Sequence, residues 1–270
     1  MTGVEAQGHA TEAGPELEPA LTEALRMLAG TDILLVALDF DGTLSNVVDA
    51  PGSARAIPEA RSAVLRLAAL PRTRVALVSG RSLASLEHVA EVPDSILLVG
   101  SHGVEVRLDG PASLELDDAE RRRVDALRRL LDDVAAPYEK VWVEEKPAGF
   151  ALHTRLATPH DRERADQAAL DALAGDDELA GLSVRRGKNV LEFSVRHETK
   201  GEAVKRLKDY TGATAALFAG DDVTDEDGFA SLVPGDLGLK VGPGDTLAGF
   251  RVGEPREVAS ALHLLADLRG

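Results

Sequence analysis

The stretch Leu34-Leu35-Val36-Ala37-Leu38-Asp39-Phe40-Asp41-Gly42-Thr43-Leu44 constrains this chain more than any other. Its apolar run, with β-branched Val36, is too short for an ordinary helix and reads as a strand buried on both faces. The run stops at two carboxylates flanking Phe40. In extended backbone, residues two apart project to the same side, so Asp39 and Asp41 leave the strand's carboxyl end together. That end is where open α/β sheets bind ligands. Two neighbouring carboxylates repel, and a divalent cation such as Mg²⁺, which prefers oxygen ligands, would compensate them. One aspartate is then able to attack a phosphoryl group while the other moves protons. Alone, Asp41-Gly42 is a common turn pair. The strand, the Asp-x-Asp spacing and Thr43 together favour the site.

The same construction recurs along the chain. A helix opening at Pro58, apolar at Val64, Leu65, Leu67, Ala68 and Leu70, leads to strand Val75–Val78, which stops at Ser79-Gly80-Arg81. Helix Leu83–Ala90 leads to strand Ile96–Val99 and then Gly100-Ser101-His102-Gly103-Val104-Glu105. Further on, Thr199-Lys200-Gly201-Glu202 has capping-box form and opens a helix to about Tyr210. Strand Ala215–Ala219 ends in Gly220-Asp221-Asp222, with Asp225, Glu226 and Asp227 starting the next helix. Strand Leu237–Val241 and helix Pro255–Leu268 follow. This alternation predicts an α/β fold with a Rossmann-like parallel sheet. Its carboxyl edge gathers Asp39, Asp41, Ser79, Lys200, Asp221 and Asp222, a set suited to phosphoryl transfer. Singly, each has a plainer reading: Ser79-Gly80 as a turn, Lys200 as a solvated lysine at a helix start, Asp222 as a helix N-cap.

Between the two halves the pattern changes. Val104–Arg107 and Ser113–Leu116 resemble short strands around Asp109-Gly110, a hairpin signal. Asp117–Val134 is a long amphipathic helix. Val141–Lys146 and Phe150–Arg155 alternate apolar and polar residues, as antiparallel strands with one wet face do. A helix over Pro159–Ala174 and strands Leu182–Arg186 and Asn189–Val195 complete an αββαββ segment, expected as an inserted α+β cap domain over 109–196. The core domain is then 20–108 with 197–270, and 1–19 is expected to be disordered.

These motifs resemble those of haloacid-dehalogenase-like phosphatases: Asp39-Phe40-Asp41-Gly42-Thr43-Leu44, Ser79-Gly80, Lys200 and Gly220-Asp221-Asp222. The inserted segment is similar to the cap of that superfamily's sugar-phosphatase branch. Finer matches resemble the trehalose-6-phosphate phosphatase family: Ser79-Gly80-Arg81, Gly100–Glu105, Glu145-Lys146 with His153 and Arg155, Gly187-Lys188 with Glu192, and Gly220–Glu226. The resemblance implies that Asp39 is a nucleophile forming an aspartyl-phosphate and that Asp41 is the acid and base. It implies Mg²⁺ on Asp39, the Asp41 carbonyl and Asp221, with Asp222 in support, and phosphoryl contacts from Ser79 and Lys200. Glu145, Lys146, His153, Arg155, Lys188 and Glu192 are implied sugar contacts on the wet face of the cap sheet, and Arg81 is an implied substrate contact. His102 is a further candidate contact, and with Glu105 serves either the sugar or a hinge. Trehalose 6-phosphate is the expected substrate. The alternatives are another sugar phosphate (sucrose 6-phosphate or mannosylglycerate phosphate), a sugar phosphomutase, or a non-catalytic metal-binding module.

Composition excludes other classes. The 270 residues, 44% apolar, suffice for one large or two moderate domains. A formal charge of -16 disfavours nucleic acid and anionic membranes as partners, and an aromatic content of 3% disfavours a base-stacking surface. With no cysteine there are no disulfides or thiolate metal sites. No run is apolar enough to span a membrane, and the acidic Met1–Pro19 stretch lacks the basic and apolar regions of a signal peptide. The expectation is a cytoplasmic monomer, without an attached synthase or additional amino-terminal domain, acting on a small sugar phosphate.

Overall fold

The computed structural model describes residues 17–48, 50–110, 116–196 and 198–270. The first part of the core runs α1 (Pro19–Ala29), β1 (Leu34–Leu38), α2 (Pro58–Ala69), β2 (Thr73–Val78), α3 (Leu83–Ala90), β3 (Leu97–Gly100) and β4 (Glu105–Arg107). The cap follows as α4 (Asp118–Ala135), β5 (Trp142–Lys146), β6 (Gly149–His153), α5 (Pro159–Ala174), β7 (Ser183–Gly187) and β8 (Val190–Ser194). The core resumes with α6 (Lys200–Thr211), β9 (Ala215–Gly220), α7 (Glu226–Ala230), β10 (Leu237–Val241), β11 (Phe250–Val252) and α8 (Pro255–Arg269).

The core sheet has the strand order β11-β10-β9-β1-β2-β3-β4. Every neighbouring pair is parallel except β3 with β4. The unbroken apolar runs are explained by helices on both faces. Leu34, Val36 and Leu38 turn one way, into a core shared with α1, α2, α3 and α8. Leu35 and Ala37 turn the other way, against Phe218, Ala203, Val204 and Leu207 of α6, and Phe229 of α7. Each such buried leucine or phenylalanine contributes about 1.5–3 kcal/mol of transfer free energy. β1 is flanked by β2 on one side and β9 on the other. The chain therefore reverses its winding direction beside β1, which opens a crevice at that strand's carboxyl end.

The cap sheet is antiparallel, in the order β5-β6-β8-β7. One face packs Phe150, Leu152, Leu191 and Phe193 against Leu127 and Leu131 of α4 and Ala169 of α5. The opposite face carries Glu144, Ala151, Glu192 and Arg185, which are mutual partners across the four strands. That face looks onto the core, with a cleft between.

Three expectations need correction. Glu105–Arg107 does not form a hairpin around Asp109-Gly110. It folds back on β3, with Val106 opposite Val99, as the antiparallel edge of the core sheet. The reversal is made at Ser101–Gly103, where three successive residues take positive φ (49°, 60° and 133°). Of the expected partner strand, 113–115 lie outside the described residues, and Leu116 is in no strand. The expected disorder reaches too far: Leu17 packs on the core and α1 begins at Pro19, while 1–16 lie outside the described residues. Arg155 falls beyond the end of β6. No helix among the described residues is long and apolar enough to cross a membrane.

Candidate active site

Asp39 follows the last residue of β1 and is held there by its N–H, which donates to the Ala219 carbonyl of β9 at 2.9 Å. Its carboxylate is nearly buried, 4% exposed, as is Lys200 at 3%. Lys200 Nζ donates to Asp39 Oδ1 and to Asp225 Oδ1, both at 2.6 Å. Lys200 is the first residue of α6, and the Thr199–Glu202 capping box fixes that helix end. Asp225 is fully buried at the end of a short 3-10 turn after β9, and its second oxygen accepts from Asp222 N–H at 2.9 Å. The approach requires glycine at 220, since a Cβ there would lie 2.2 Å from Asp225 Cγ.

Asp39, Asp221 and Asp225 each bring a carboxylate oxygen within 4.8 Å of the others. One buried ammonium stands against three carboxylates. Burial pushes Asp39 up to about 7; Lys200 opposes this, and Asp225 and Asp221 reinforce it. Burial, then Asp225, pushes Asp221 up to about 6. Burial works against the charge on Lys200, but Asp39 and Asp225 outweigh it and hold the ammonium more firmly protonated than in water. An excess of buried carboxylate oxygens at the mouth of a crevice fits a hard divalent cation. The Phe40–Ser45 loop covers this cluster. Gly42 adopts φ 79°, and a Cβ there would fall 2.1 Å from Asp221 Oδ2, so the loop closes over the carboxylate only without a side chain.

Asp41 faces the same cleft, but its carboxylate is gripped at both ends. Arg81 Nε and Nη2 donate to Asp41 Oδ2 and Oδ1 at 2.5 and 2.6 Å. Arg81, expected to bind substrate, is here paired with Asp41. Ser79 is buried; its hydroxyl oxygen accepts from Arg81 N–H at 3.2 Å and borders the cleft. His102 rests on Gly80, where a Cβ would lie 2.7 Å from the ring. Burial, with the Arg185 and Lys200 charges, pushes His102 down to about 4, so it is neutral at pH 7. Its Nδ1 is buried without a hydrogen-bond partner. Glu105 is absent from the cleft lining, and one of its oxygens accepts from Ser101 Oγ at 2.6 Å and Leu83 N–H at 2.9 Å.

The cap closes the other side. Lys146 and Glu144 border the cleft above Asp39, Asp41 and Lys200. Beyond His102 the cleft deepens into a lobe lined by Lys146, Arg185, Glu192 and Ser183. Glu145 does not share this face. It is opposite Phe150 in the sheet, on the helix side, and accepts from Arg128 Nη1 of α4 at 2.8 Å. Adjacent strand residues point to opposite faces, so Glu145 and Lys146 cannot both face the cleft, and Glu144 takes the place expected for Glu145. His153 Nε2 lies 2.6 Å from Glu144 Oε2, and the imidazole stacks on Trp142 with centroids 4.7 Å apart. Arg155 and Lys188 are exposed in turns and are not among the described residues lining the cleft. Asp222 borders the cleft but is exposed, and its backbone N–H donates to Asp225 Oδ2 at 2.9 Å. Sequence reasoning missed Asp225, Glu144 and Arg185. The Asp221-x-x-x-Asp225 spacing, running from a strand end into a helical turn, was the available signal for the first.

The family model described as Trehalose-phosphatase matches residues 37–247. The chain is 32% identical over 235 residues to the trehalose-6-phosphate phosphatase of Escherichia coli (strain K12), covering 84% of each. It is 37% identical over 234 residues to the bifunctional trehalose-6-phosphate synthase/phosphatase of Thermoproteus tenax, covering 86% of this chain and 32% of that one. The chain thus spans about a third of that larger relative. Among solved structures, Aspergillus fumigatus trehalose-6-phosphate phosphatase superposes with a TM-score of 0.72 at 24% identity, covering 94% of this chain and 99% of that one. This last likeness is one of fold.

Proposed function

Because the chain belongs to the trehalose-phosphatase family, we propose that it hydrolyses trehalose 6-phosphate to trehalose and phosphate, with Mg²⁺, through an aspartyl-phosphate on Asp39. The observation that carries this reading is the buried Asp39 carboxylate, fixed between Lys200 and two further aspartates at the carboxyl end of β1. A carboxylate oxygen of Asp39 attacks phosphorus, and the ester P–O bond to the sugar breaks. Asp41 is the group that gives a proton to the leaving sugar oxygen. Asp41 then takes a proton from water as that water attacks phosphorus, and the bond from phosphorus to Asp39 breaks to release phosphate. Lys200 and the Ser79 hydroxyl hold phosphoryl oxygens, and Arg81 keeps Asp41 on the cleft side. Asp39, the Asp41 carbonyl and Asp221 would hold Mg²⁺ beside Asp225, and when bound it neutralises charge on the transferring group. Glu144, Lys146 and Glu192, projecting from one face of the cap sheet, supply charged hydrogen-bonding groups for sugar hydroxyls.

The test is phosphate release from a panel of sugar phosphates, with and without Mg²⁺. The expected result is highest kcat/KM for trehalose 6-phosphate, reversibly stopped by chelator. Preference for sucrose 6-phosphate or mannosylglycerate phosphate would overturn the substrate. Isomerisation without phosphate release would make the protein a mutase, and undiminished turnover in excess chelator would remove the metal.

A further inference from the structure

Lys240 has no part in the steps above, yet it is a charged residue only 4% exposed inside the core. It lies on β10, opposite Gly220 of β9. Its Nζ donates to the Asp221 carbonyl at 2.5 Å and reaches the Asp222 carbonyl at 3.5 Å. Glu226 Oε1 lies 3.8 Å from the same nitrogen. The other oxygen of Glu226 accepts from Leu247 N–H at 2.8 Å and Thr246 Oγ1 at 3.3 Å. One buried cation therefore ties the first two residues after β9 to the start of α7 and, through Glu226, to the loop after β10. Burying an ammonium is costly, and an apolar residue would suit the sheet interior better unless the tie itself is needed.

We propose that Lys240 is a positioning residue: by pinning the Asp221 and Asp222 carbonyls it aims the Asp221 carboxylate at Asp39 and so sets the affinity of the site for Mg²⁺. This rests on the reading of the aspartate cluster as a Mg²⁺ site. Asp221 needs such a constraint. It lies at a strand end, and the space beside its carboxylate admits no side chain at position 42. Lys240 acts on a bound cation in two opposed ways, repelling it by charge and holding its ligand in place. Glu226 beside the ammonium offsets much of the repulsion. The constraint on Asp221 then dominates, and loss of Lys240 weakens binding.

The experiment is calorimetric Mg²⁺ binding to the substrate-free full chain, for wild type, Lys240→Met and Lys240→Arg, with thermal melting of each. Lys240→Met should bind at least about tenfold more weakly, the scale of losing a group that orients a metal ligand. Lys240→Arg, which keeps the charge and donors, should recover part of that loss. Once Mg²⁺ is saturating, KM for trehalose 6-phosphate should stay near wild type. If Lys240→Met lowers the melting temperature while binding Mg²⁺ as tightly as wild type or tighter, the residue is structural and the proposal fails. If Lys240→Met does not fold, Lys240→Gln decides, since it removes the charge that repels a cation and is too short to hold both carbonyls. It should weaken Mg²⁺ binding about threefold or more, the scale of one lost hydrogen bond, and unchanged or tighter binding overturns the proposal. A wild-type chain that binds no Mg²⁺ removes the metal reading and this inference together, an outcome distinct from variants that match a binding wild type.

Discussion

Asp39 and Asp41 sit two residues apart on one strand end but in different surroundings, and those surroundings divide their labour. Asp39 is buried against an ammonium; Asp41 is half open and held at both carboxylate oxygens by the Arg81 guanidinium. Asp39→Asn should abolish turnover while the protein melts normally, because an amide does not form the acyl-phosphate. Asp41→Asn should cost far more with a sugar phosphate than with an aryl phosphate, whose leaving group needs no proton. Equal losses on both substrates would argue against the acid role. The proton balance of the cluster gives a second measurement. With Asp39 pushed up to about 7 and Asp221 up to about 6, the metal-free site carries protons at pH 6 that it has shed by pH 8. Mg²⁺ must displace them, so its affinity should fall as pH drops from 8 to 6. Calorimetry at pH 6.5 in buffers of different ionisation enthalpy should detect proton release on binding. Identical heats in all buffers would show that these carboxylates are already ionised.

At the scale of elements, parity in β5 decides which acidic residue can reach a sugar. Glu144 shares its face with Glu192 and Arg185, while Glu145 shares its face with Phe150 and pairs with α4. Glu144→Ala should therefore lower kcat/KM for trehalose 6-phosphate by about tenfold or more, the scale of a lost charged hydrogen bond. Glu145→Ala should stay within a few-fold, and an aryl phosphate should be indifferent to both. The reverse order would mean that the strand is shifted by one residue. This parity was not legible in the sequence, because the alternation read over Val141–Lys146 breaks at Glu144-Glu145-Lys146, which puts charge on both faces. The core strands were legible because unbroken apolar runs admit one reading, and the polar groups at their ends marked the crevice. Asp225 was hidden for another reason: it reaches the site from a helical turn, where spacing along a strand gives no guide. β4 and β11 are three residues each, too short for a pattern to name a partner.

The whole molecule reconciles an acidic surface with an anionic substrate. Despite a net charge of -16, Lys200, Arg81, Lys146 and Arg185 all border the cleft, so cationic groups stand beside its carboxylates where an anionic ester would bind. The core side presents groups for a phosphoryl ester and the cap side groups for hydroxyls. On the proposed reading, the chemistry belongs to the core sheet and the specificity to the cap sheet, which face each other across this cleft.

The central place of β1 has one more consequence, which concerns time. Its two neighbours are β2, begun at residue 73, and β9, begun at residue 215. A ribosome adding roughly 5–20 residues per second leaves β1 with one edge bare for on the order of ten seconds or more after it emerges. During that interval Asp39 has neither Lys200 nor Asp221 beside it, and the most apolar strand of the protein offers an unpaired edge to any other strand in reach. The cap, encoded within that gap, is complete before β9 exists. The arrangement that buries Asp39 in the finished protein also makes the nascent chain dependent on its last third for the surroundings of that carboxylate and for its protection from aggregation.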